Sequence, residues 1–127
     1  MYQQALEIRQ RLFNSDPENA EFASNLSFSY SNLGNMQQDL GNNQAALTMY
    51  QQGLEIAERL SNSAPENAQF ALDLSLSYGK LASLAAGEEE TDWWRKAYSV
   101  LTSMQARGVL SYSDKRYVAF VKTMLGL

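Results

Sequence analysis

The stretch "GEEETDWWRKAY", Gly87 to Tyr98, is the densest cluster of chemically capable side chains in the chain. Three adjacent carboxylates, Glu88 to Glu90, are the oxygen donors that hard cations prefer. They lack the alternating ligands of a calcium loop, and acidic residues at a helix start are explained by the positive end of the helix dipole. The chain contains no histidine and no cysteine. The commonest general base, the thiol nucleophile and the soft metal ligands are therefore missing together. No glycine-rich phosphate loop and no G-x-S-x-G elbow occurs. These residues predict a chain with no catalytic activity, no metal and no cofactor. The tryptophans of the same stretch, Trp93 and Trp94, point in directions about 100° apart on a helix. One can enter the core while the other faces outward as an anchor for a partner, or both can pack beneath a following helix.

Composition narrows the class. The chain has 127 residues, 45% hydrophobic and 19% charged, which is enough to bury a core. No apolar run approaches the ~20 residues that a membrane-spanning helix needs. The start, "MYQQALEIRQ", lacks the regions of a signal peptide, and the expected location is cytoplasmic. Residues 1–87 carry four basic and nine acidic side chains, and residues 88–127 carry six and five. An acidic body without a basic, aromatic-laced stripe argues against nucleic acid. Arg107, Lys115, Arg116 and Lys122 read as a solvated helix face.

The elements that must position any site are set by a duplication. At an offset of 48, Tyr2–Leu33 matches Tyr50–Leu81 at 21 of 32 positions. Ser15 and Ser63 each precede a glutamate by three residues, the pattern of a capping box, with Pro17 and Pro65 in the first turn. Each box predicts a long helix. In the first copy Phe22, Ala23, Leu26, Tyr30, Leu33, Met36 and Leu40 form a stripe of helical period. Gly41 and Gly87 fit the left-handed position after each helix. Second helices follow over Gln44–Leu60 and from Thr91 or Asp92 to before Gly108. The alternation in "NLSFSYSNL" resembles a strand but is overruled by the helical stripe around it. The expected fold is all-α: a half-unit over 1–13, hairpins over 17–61 and 65–107, and a capping helix over 113–125, all in one domain.

The spacing Tyr30-x2-Leu33-Gly34-x6-Gly41-x4-Ala46-x3-Tyr50-x2-Gly53-Leu54 resembles the tetratricopeptide repeat, and Tyr78, Leu81, Ala82 and Tyr98 continue the likeness. Gln37 stands where an aromatic is usual, and Trp94 where a small residue is. The 48-residue period resembles the long repeats of bacterial arrays that follow signalling or effector modules, and the chain reads as the C-terminal part of one. The resemblance implies an α-solenoid whose concave face, lined by first helices, holds a peptide or partner segment. Carried across by position, that groove would present Ser24, Phe28, Ser31, Asn35 and Gln38, then Leu72, Leu76, Gly79 and Ser83, with Asn32 and Lys80 at the rim; Phe28 and Leu76 fit buried core positions equally well. Its neutral character differs from the charged clamp of chaperone-tail-binding repeats.

A second reading is a structural role, in self-association or in scaffolding an attached domain. Met1–Phe13 resembles a second helix without its mate, so Tyr2, Leu6 and Ile8 would offer apolar surface through which two copies could form a homodimer.

Overall fold

The computed structural model describes residues 2–127, with side chains from residue 3 onward. They form α1 (Tyr2–Ser15), α2 (Ala20–Asp39), α3 (Asn43–Ser63), α4 (Ala68–Leu84), α5 (Gly87–Ala106) and α6 (Tyr112–Met124). No strand occurs among the described residues, and the serine-alternating segment from Leu26 to Tyr30 lies inside α2. The fold is all-α, a helical repeat of the kind the duplication implies. The helices gather into two compact units, Met1–Ser63 and Ala64–Leu127.

Helix starts differ from the expected capping boxes. Ser15 and Ser63 belong to the ends of α1 and α3, where their hydroxyls donate to the carbonyls of Leu12 at 2.8 Å and Leu60 at 2.9 Å. A hydroxyl committed backwards cannot cap the next helix. The caps are instead Asn19 and Asn67, whose Oδ1 atoms accept from the Phe22 and Phe70 backbone N–H groups at 3.1 and 2.9 Å. Asparagine is a strong N-cap, so this satisfies a donor that the helix itself leaves open. Gly41, at φ 81°, follows the α2 C-cap as expected. Gly87 is left-handed too, at φ 63°, but it opens α5 rather than closing α4. As a result α5 begins four residues ahead of Thr91 and places Glu88, Glu89 and Glu90 in its first turn. The capping box that does form belongs to Ser111 and Asp114, at the start of α6.

In the first unit, α2 and α3 close on a core of Leu26, Tyr30, Leu33, Tyr50, Leu54 and Ala57. Gly34 permits the closest approach. A β-carbon there would lie 2.4 Å from Cε1 of Tyr50, so the tyrosine ring rests directly on the α2 backbone. Helix α1 packs against α2, with Leu6 buried and polar links beside it. Arg9 donates to the Ser29 hydroxyl, and Gln10 donates to the Tyr30 hydroxyl at 2.9 Å.

The second unit solves the same packing with different sizes. Trp94 occupies the slot of Ala46 and is only 5% exposed. The volume comes from Gly79, which stands where the first copy has Ser31: a β-carbon at 79 would be 3.3 Å from Trp94 Cζ3 and 2.6 Å from Tyr117 Oη. The Phe120 ring meets Trp94 edge-on at 5.6 Å, tying α6 to α5. The Tyr117 hydroxyl lies 3.3 Å from the Ser75 carbonyl, which ties α6 to α4.

Burial pushes the Tyr117 hydroxyl up to about 12 from an ordinary 10.0. The native state therefore holds this proton more tightly than the unfolded chain does. The associated stability is intact below pH 10 and falls as pH rises from 10 towards 12. Tyrosinate absorbance should show late titration from both Tyr50 and Tyr117, the latest step being absent in Tyr117→Phe, and that variant should lose less stability across the same interval. An unchanged late step in the variant would assign it elsewhere.

Candidate protein-binding face

Helix α2 has two sides. Ala23, Leu26, Ser29, Tyr30 and Leu33 face the core, and Ser24, Phe28, Ser31, Asn35 and Gln38 recur on a different face at steps of four and three. Phe28 is 62% exposed, a large aromatic in water on a helix whose other apolar side chains are mostly enclosed. Ser24, Ser31, Asn32, Asn35 and Gln38 around it are half-buried. Two of them are fixed from below, since the Tyr50 hydroxyl lies 2.7 Å from Asn35 Oδ1 and 2.9 Å from Gln38 Oε1. One hydroxyl carries one proton, so it donates to one amide and accepts from the NH2 of the other once that side chain is turned over. Burial raises the Tyr50 pKa, and the neighbouring Asp39 charge adds to the rise. The phenol thus stays neutral and keeps both amides oriented.

The face is amphipathic and uncharged. It offers apolar area at its centre, amides at one end and small hydroxyls elsewhere, which suits backbone and side-chain contacts with a peptide better than recognition of an ion.

In the second unit the equivalent residues are less uniform. Leu76, the counterpart of Phe28, is 40% exposed. Leu72 packs partly against the core, Lys80 is half-buried, and the Ser83 hydroxyl donates to the Lys80 carbonyl at 2.6 Å. Tyr117 and Trp94 press on Gly79, so part of the α4 face is already occupied. The size of Trp94 was the sequence signal for this, although its accommodation by Gly79 was not foreseen.

The tryptophans divide. Trp94 is core, whereas Trp93 is half-buried and stacks on Tyr78 with ring centroids 6.0 Å apart. The Lys96 ammonium sits 4.7 Å above Trp93. On α1, Leu6 is 6% exposed and Ile8 is 56% exposed, while the side chain of Tyr2 lies outside the described residues. Leu12 is 41% exposed as well. Ile8 and Leu12 correspond to Ile56 and Leu60 of α3, which are both 8% exposed.

No helix among the described residues is long and apolar enough to cross a membrane. No curated protein and no solved structure matches the chain. The family profile described as Tetratricopeptide repeat matches residues 29–66, which run from the middle of α2 through α3 into the following turn. That segment holds the Tyr50–Gly34 contact and most of the amide-lined face. Over residues 29–66 the chain is therefore similar to a tetratricopeptide repeat, a family whose general role is interaction between proteins.

Proposed function

We propose that this chain is a protein-interaction module that holds a peptide or partner segment along the α2 face, with Phe28 as its apolar anchor. The supporting observation is the exposure of Phe28, repeated at the matching residue Leu76. Both copies place a large apolar side chain in water at the same register, where folding alone gains nothing from it. The reading includes no catalytic step and no cofactor, and the charge distribution favours a protein partner over nucleic acid or a membrane.

Selection of a displayed peptide library on the full chain tests it. Selected peptides should lose roughly tenfold or more in affinity for Phe28→Asp, about what one central anchor supplies. Helicity and melting should stay near wild type, because the residue is exposed. Affinity indifferent to Phe28 would remove the α2 face from the reading.

The exposure of Ile8 and Leu12, against the burial of their copies Ile56 and Leu60, favours a second reading in which α1 supports self-association or scaffolding. Sedimentation should then show concentration-dependent dimers that Ile8→Asp weakens. A clean monomer at high concentration would reject it.

A further inference from the structure

The two copies treat one arginine differently, and the difference leaves a vacancy. In the second unit Arg107 donates to the carbonyls of Pro65 at 3.2 Å and Glu66 at 2.7 Å, bridging the turn before α4. The matching residues in the first unit are Arg59, Pro17 and Glu18. Arg59 does not make that bridge. Its guanidinium lies over the Phe13 ring, 5.5 Å from the centroid. Phe13 corresponds to Ser61, so the second copy has no aromatic ring at this place to draw its arginine aside. What remains beside the first turn is a cleft of about 400 Å³. Ala23, Ile56 and Leu60 line it with apolar surface, Pro17, Glu18 and Ser63 with polar groups, and the Arg59 side chain forms part of its wall. No hydrogen bond among the described residues reaches the Pro17 or Glu18 carbonyl.

We infer that this cleft is an acceptor site for an arginine side chain of a partner segment. Adjacent carbonyls bridged by two nitrogens of one group suit the planar fork of a guanidinium, whereas an ammonium supplies a single donor point. The apolar wall suits the methylene stem. The charged residues lining the cleft are Glu18 and Arg59, in a first unit that carries three basic and seven acidic side chains over residues 1–63. Arg59 borders the cleft, and Phe13 acts as the gate by drawing its guanidinium onto the ring and away from the two carbonyls. The site lies away from the Phe28 anchor and does not depend on it.

The test is a nuclear magnetic resonance titration of the full chain with a capped Gly-Arg-Gly peptide, alongside its lysine and citrulline analogues. Amide shifts should concentrate at Asn19, Ala20 and Ser63, and the arginine peptide should bind tightest. Phe13→Leu keeps apolar bulk but removes the ring, freeing Arg59 to fill the cleft. Peptide binding should then fall by about fivefold, the strength of a cation–π contact. Adding Arg59→Ala to that variant should restore it. Equal binding of the lysine peptide, shifts centred elsewhere, or indifference to Phe13→Leu in a chain of unchanged helicity would each overturn the assignment.

Discussion

Gly34→Ala should destabilise the first unit by about 2–3 kcal/mol, against the usual sign of that substitution. In an open helix interior, replacing glycine by alanine gains about 1 kcal/mol. Here the added methyl would sit 2.4 Å from Tyr50 Cε1, and Tyr50 is 2% exposed with its hydroxyl held by Asn35 and Gln38. The ring has nowhere to go without giving up those bonds, so overpacking outweighs propensity. Gly53→Ala is the control. Its nearest neighbours would be 3.5 Å away, an ordinary contact, and propensity should win. Both tryptophans lie in the second unit, so their fluorescence reports that unit while circular dichroism reports the sum. Gly34→Ala should therefore shift the dichroism transition, and the fluorescence transition reads how much of that loss reaches the second unit. Gly34→Ala as stable as wild type would mean the Tyr50 ring is not held where it is described.

Trp94→Ala should cost the second unit about 3–5 kcal/mol. The side chain is 5% exposed, meets Phe120 at 5.6 Å and fills the space that Gly79 leaves open. Gly79→Ser alone should also destabilise, by about 1–3 kcal/mol, since its β-carbon would crowd Tyr117 and Trp94. Together the two changes recreate the Ala46 and Ser31 pairing of the first copy, and the serine should cost less once the indole is gone. A double-mutant cycle read by chemical denaturation measures that coupling. Strict additivity would show that Gly79 and Trp94 are not matched in size, and the account of the second copy would fail with it.

Much of the fold was legible because duplication and helical period agree. The hairpins and the Gly41 stop follow from spacing that carries steric meaning at each residue, whereas spacing left Phe28 equally suited to the core and to the open face, and only the packing of α2 decides for exposure. The helix starts were misread at Ser15 and Ser63 because a hydroxyl has two nearby uses, and a one-dimensional pattern does not say which backbone group it meets. The α5 start was placed late because Gly87 was assigned to the helix before it. The candidate face was half legible. Its register could be counted along α2, but the Tyr50 hydroxyl beneath Asn35 and Gln38 depends on a ring reaching across from α3. The Gly79 and Trp94 exchange was hidden for a related reason, since each looks anomalous alone and makes sense only when the two are adjacent in space.

The substantial helix pairings, α1 with α2, α2 with α3, α4 with α5 and α5 with α6, all join neighbours in the chain. A segment leaving the ribosome therefore meets its partner almost as soon as both have emerged, with little loop entropy to overcome. Each hairpin can settle before the next is made. Two similar copies in one polypeptide could otherwise pair wrongly, α3 taking the seat of α1 or the reverse, a known hazard of repeated sequences. Vectorial synthesis gives the correct neighbour first refusal, so the order in which the helices appear protects a sequence that says nearly the same thing twice.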